Sequence, residues 1–113
     1  MNDVVKEIVG RFIDAAVKDQ ASARAILRNH PEVLEGRWVH NETPLHFLAV
    51  EGVEGAVRFL AELGANVNAT NEFGDTALVD VAVLSGSDQT QAQAYDRIAA
   101  ILLEHGQIPT LNR

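Results

Sequence analysis

The chain has no cysteine. Disulfides, thiolate catalysis and cysteine-ligated zinc are therefore excluded, and the composition suits a reducing compartment. Aromatic residues supply only 5% of the 113 residues, although 47% are apolar. Strands favour aromatic and β-branched side chains. Here the apolar content is largely Ala, Val, Leu and Ile, which suits close helix packing and an all-α fold. No apolar run approaches the ~20 residues of a membrane-spanning helix. The opening MNDVVKEIVGRF mixes charges into its apolar residues, unlike the continuous apolar core of a signal peptide. The expectation is one soluble, cytoplasmic domain spanning 1–113, long enough to bury a core without covalent staples.

Positive charge is also scarce, and unevenly so. Nine Lys and Arg stand against 16 Asp and Glu, for a net charge of −7. Residues 1–37 hold six of each sign, whereas 38–113 hold three basic and ten acidic residues. So acidic a majority of the chain repels phosphate, which argues against nucleic acid and anionic lipid as partners. The acidity suits a solvated surface kept soluble by like charge, or an acidic face that selects a protein partner with a basic patch. Catalytic signatures are missing as well. There is no GxSxG, no Walker loop and no GxGxxG, and GSDQ is a short loop rather than a phosphate cradle. No enzyme and no cofactor are expected.

What is present is a repeat. Thr43-Pro44-Leu45 aligns with Thr76-Ala77-Leu78 at an offset of 33, and the same offset relates Ala16, Ala49 and Ala82. Small residues at one register mark places where helices approach closely. ARAIL (23–27) aligns with AVRFL (56–60) at 33, whereas IAAIL (98–102) needs 42. The last unit therefore carries nine extra residues near 86–95, within GSDQTQAQAYD (86–96).

Each unit reads as a helical hairpin. Thr43 suits an N-cap and Pro44 the first helical position. Leu45, Leu48 and Ala49 keep helical spacing, Gly52 interrupts it, and a second helix ends at Gly64 as a C′ glycine. Gly74 is expected at positive φ, with Asn41 in the equivalent conformation. The first unit places helices at about 2–18 and 21–29, with Pro31 where Gly64 stands in the next unit. In the last unit Ala92, Tyr95, Ile98 and Leu102 keep helical spacing. The insertion is read there as a longer loop plus an extension of the final helix, capped by Ser87 or Asp88.

The 33-residue spacing, TPLH and LGANVNATNEFGDTAL make this chain resemble the ankyrin-repeat family, most strongly over residues 37–84. In the last unit TPLH has become TALV. The resemblance implies an all-α solenoid of about three stacked helix–turn–helix units with β-hairpin-like turns. Residues 1–36 would be a degenerate N-terminal capping unit, 37–69 a repeat, and 70–113 a repeat with the insertion and a C-terminal tail. It also implies a non-catalytic protein-binding role, in the style of a short bacterial adaptor, inhibitor or immunity-like protein.

Carried over from the family, the binding residues fall on turn tips and inner helices. They are Trp38, Val39, His40 and Glu42 on one turn, Glu72, Phe73 and Asp75 on the next, and Val50, Glu51, Val83 and Leu84 on the helices. Trp38 and Phe73 would be the aromatic anchors, although Trp38 also has the option of folding back onto the first unit. His46 is expected to brace the fold, its ring reaching the Thr43 hydroxyl and a neighbouring backbone group. Asp75 and Asp80 are read as capping and solvated carboxylates. His30 and His105 end helices, where a cation favours the dipole.

Two other classes compete. His40, Glu42 and His46 would supply donors to a small metal-dependent enzyme. Alternatively, the last helix, with Ile98, Ile101, Leu102 and Leu103 spread beyond one stripe, would drive self-association unless Ile108 and Leu111 of the tail cover it. The monomer is favoured.

Overall fold

The structure is a computed structural model that describes residues 3–87 and 89–106. Three helix pairs follow one another: α1 (Asp3–Lys18) with α2 (Gln20–Asn29), α3 (Pro44–Val50) with α4 (Glu54–Glu62), and α5 (Ala77–Ser87) with α6 (Ala92–Glu104). Successive pairs stack, with α1 against α3 and α4, α3 against α5, and α4 against α6. No extended sheet joins them among the described residues. The hairpin-like turns are represented by a single antiparallel bridge, Thr70–Thr76, and by two short 3₁₀ turns, Pro31–Glu35 and Val39–Asn41.

Local chemistry explains each helix end. Thr43 caps α3, its Oγ1 accepting the N–H of His46 at 3.3 Å, and Pro44 occupies the first turn. Asp19 caps α2, accepting from the Ser22 hydroxyl at 2.7 Å and from its N–H at 3.3 Å. The Ser22 hydroxyl, aided by the backbone, holds the Asp19 carboxyl below its ordinary value. This cap therefore stabilises α2 above the ordinary carboxylate range and is lost as pH falls through the lowered value. Gly64 follows α4 at φ +97°, a conformation that disfavours any residue with a Cβ. In the first unit His30 ends α2 instead, and Pro31 opens a 3₁₀ turn.

The core is aliphatic and runs through the stack. Phe12, Leu45, Leu48, Leu60, Ile98 and Leu102 are fully buried, each contributing ~1.5–3 kcal/mol of transfer free energy. Ala16 and Ala49 are buried where helices approach, but Ala82 is exposed. The alanine register thus marks a stacking face only where a further helix pair lies against it. The last helix also differs from expectation. Ile98, Ile101 and Leu102 all pack inward, leaving Leu103 alone at 48% exposure. That removes most of the apolar surplus that self-association would need; Ile108 and Leu111 lie outside the described residues.

The insertion lengthens helices more than loops. α5 has 11 residues where α3 has 7, and α6 has 13 where α4 has 9. Ser87 is the last residue of α5, its hydroxyl donating to the Val83 carbonyl at 3.0 Å, so it does not cap α6. Gln91 stands at that cap without a side-chain bond, and Asp88 lies outside the described residues. The α6 extension buttresses the preceding unit: the Tyr95 hydroxyl donates to the Val50 carbonyl at 2.9 Å, and Arg97 pairs with Glu54 at 2.7 Å.

Two glycines test this backbone reading by opposite signs. An added Cβ would meet open space at Gly55, inside α4, and at Gly64, but only Gly64 has positive φ. Gly55→Ala should raise stability by about 0.5 kcal/mol and Gly64→Ala should lower it by about 1 kcal/mol in urea unfolding.

Candidate functional site

Two turns and two inner helices build the candidate face. In the turn before α5, Asn71 is buried and organises its neighbours. Its Oδ1 accepts the N–H groups of Phe73 (2.9 Å) and Asp75 (3.0 Å), and its own N–H donates to the Asp75 carbonyl at 3.0 Å. Gly74 supplies the positive φ of +81° that closes the turn. Phe73 is thereby held outward, 68% exposed. In the preceding turn Asn41 has φ +59°, as its side chain tolerates, and His40 has φ +54°. The Trp38 N–H donates to the Glu42 carbonyl at 2.7 Å to close this turn.

The turns are tied to each other. The Glu72 N–H donates to the His40 carbonyl at 3.0 Å. The Arg37 guanidinium donates to the carbonyls of Asn41 (2.9 Å) and Thr70 (2.8 Å), spanning both turns. The His40 Nδ1 lies 3.0 Å from Glu72 Oε2, and its ring meets that of Phe73 with centroids 5.8 Å apart. Such cross-links fix side chains on loops that would otherwise be mobile.

His46 braces the fold as expected, but through a different partner. Its backbone N–H, not its ring, binds Thr43. The ring is buried and points Nε2 across the stack to Asp80 Oδ2 at 2.8 Å, with Glu42 Oε2 at 3.7 Å. The Asn71 amide donates to Glu42 (3.3 Å) and, at the limit of contact, to Asp80 (3.5 Å). Asp80 is therefore not a merely solvated carboxylate: it ties α5 to α3. Its partner lies 34 residues away in the chain, so nothing local distinguishes it from an ordinary helical acid.

The alternative metal-ligand set of His40, Glu42 and His46 does not assemble. His40 is engaged by Glu72, whereas Glu42, His46 and Asp80 bring donor atoms within 4.8 Å of one another. These three are the residues that could hold an ion. Against that role, His46 Nδ1 is buried without a partner, whereas a metal-bound imidazole usually donates its other N–H to an acceptor. A direct hydrogen-bonded brace suits the geometry better.

The expected binding residues separate into three places. Glu42, Val50, Phe73, Asp75, Val83 and Leu84 line one groove of about 610 Å³, together with Asn71, Val79 and Asp80. Trp38, Val39, His40 and Glu72 line a second cleft of about 500 Å³ against Val5 and Lys6 of α1. Glu51 is exposed beside a third depression, next to Val17 and Phe47. Trp38 is half-buried, and its ring covers Gly10, where an added Cβ would come within 2.7 Å. The indole thus closes the first unit and offers a partner only its remaining edge. Val79 and Val83, one turn apart on α5, are 43% and 64% exposed and were recognised only in part from the sequence.

The family model "Ankyrin repeats (3 copies)" matches residues 2–113. A segment of 62 residues, 55% of this chain, is 36% identical to the serine/threonine-protein kinase VIK of Arabidopsis thaliana. The match spans 14% of that kinase.

The brace makes a definite prediction. Asp80→Ala leaves the buried His46 ring without its acceptor and should cost about 1–3 kcal/mol in urea unfolding. Asp80→Asn, which keeps a carbonyl acceptor, should cost less. Equal and negligible losses would show that the contact does not couple the units.

Proposed function

Since this chain belongs to the ankyrin-repeat family, whose repeats are generally protein–protein interaction modules, we propose that it is a non-catalytic binding protein. It presents a rigid concave face to a partner with a basic patch and acts as an adaptor or inhibitor. The observation that carries this reading is the groove between the Phe73 turn and α5. Phe73, Val79 and Val83 are all exposed there, beside the carboxylates of Glu42, Asp75 and Asp80.

Exposed apolar side chains grouped in a concavity and rimmed by polar ones mark an interaction site rather than a scattered surface. Holding Phe73 at a turn tip is unfavourable in water, and a partner that covers it gains that burial. The acidic rim steers a basic surface in and disfavours phosphate. Because the turn is tied to its neighbour, little ordering is left for the moment of association. The inherited roles for Trp38, Val39, His40 and Glu72 then belong to the edge of the footprint, beside the first unit. Action as a monomer in the cytoplasm completes the proposal.

Phe73→Ala combined with Val83→Asp tests it. Both side chains are exposed, so the helical circular dichroism should be unchanged, while affinity for a captured partner should fall about 100-fold or more. Undiminished capture by the double variant would move the binding face elsewhere.

A further inference from the structure

The groove has a floor as well as walls, and the floor is short of positive charge. Glu42 and Asp80 both aim a carboxylate oxygen at His46 Nε2, with side chains 8% and 24% exposed. Three acids among the described residues meet cations at the surface, among them Glu54 with Arg97 at 2.7 Å and Asp14 with Lys18 at 3.1 Å. Among the described residues no Lys or Arg pairs with Glu42, Asp80 or the nearby Asp75. Their hydrogen-bond donors are the Asn71 amide and the His46 ring. A single imidazole faces both carboxylates, its Nε2–H donating to Asp80 and its Nδ1 buried without a partner. Two carboxylates withdrawn from water against one imidazole, with no Lys or Arg beside them, are unfavourable. A cation that reaches them from the groove relieves that cost.

We propose that this floor is a socket for the guanidinium group of an arginine, carried on an apolar segment of the partner. The proposal rests on the reading of the concave face as the binding face, and it names the chemistry that face selects. Phe73 offers an exposed ring over which a guanidinium stacks. Val79 and Val83 are apolar walls that exclude water, which strengthens a charge pair in the groove and calls for apolar residues flanking the arginine. Arginine fits better than lysine. Its planar fork presents several N–H donors in fixed directions and so serves separate carboxylates at once, Asp80 on the floor and Asp75 at the rim, where an ammonium is a single point.

The test is selection of a displayed random dodecapeptide library on the wild-type protein, after removing peptides that also bind the Phe73→Ala, Val83→Asp variant. The surviving groove-directed peptides should carry an arginine flanked by apolar residues. Changing that arginine to lysine should weaken binding about 10-fold, and to alanine about 100-fold. Asp80→Asn in the protein should weaken it about 10-fold. Asp75→Asn, which leaves the His46 brace intact, should weaken it several-fold, so the socket stays testable if the Asp80 variant is unstable. Groove-directed peptides without a cation, or indifferent to both substitutions, would overturn the socket while leaving the binding face in place. Peptides whose binding is abolished by EDTA and restored by Zn²⁺ would also overturn it, assigning Glu42, His46 and Asp80 to a metal ion. If no groove-directed peptide is enriched, the socket and the binding face both fall.

Discussion

Stacking of helix pairs is the constraint on which everything else in this molecule depends. A seven-residue helix such as α3 (Pro44–Val50) is too short to persist by itself in water. It exists because α4 covers one side, α1 another and α5 a third. The close approach needs small side chains at fixed register, and Ala16 and Ala49 provide them with essentially no exposure. Once the pairs are stacked, each turn is brought beside the next, and contacts between turns become available that no single unit could make.

The proposed binding face is a product of those contacts. Arg37 spans two carbonyls, in the Asn41 and Thr70 turns, and His46 reaches Asp80 in the following unit. The Arg37–Thr70 and His46–Asp80 contacts join residues about one repeat apart, so the order of the turns is inherited from the order of the stack. Phe73 is presented by Asn71 and Gly74, with only the His40 ring against its own. The same stack gives the groove a buried, anion-rich floor. A polar network of this kind contributes to uniqueness of packing only while its members stay paired, so Glu42, His46, Asn71 and Asp80 hold the stack beneath the proposed recognition face.

Much of the fold was legible in the residues, because repetition writes local chemistry more than once. The 33-residue offset, the Thr43 cap, the C′ Gly64 and the left-handed Asn41 and Gly74 all follow from side chains acting within a few residues. What was not legible depends on partners distant in sequence. Asp80 looks like an ordinary helical acid until His46 is placed opposite it. Trp38 had two destinations, and its half-buried seat against Gly10 depends on how the first unit closes. The insertion read as a longer loop with an extended final helix, because its polar residues carry no core pattern. It lengthens α5 as well, and Tyr95 anchors the α6 extension on the Val50 carbonyl. Of the expected contact residues, those on the Phe73 turn and α5 share a groove, whereas those on the Trp38 turn face a separate cleft, a division set by the turn geometry.

The central claim is that the stack presents its turns rigidly. Native-state hydrogen exchange of the free protein addresses it directly, through the amide of Glu72, which is bonded to the His40 carbonyl across the two turns. If the turns are part of the stack, that amide exchanges only through the opening that also releases the core amides of α4, with the same free energy and the same urea dependence. If it exchanges freely while α4 stays protected, the turns are mobile loops on a stable core, and rigid presentation is wrong.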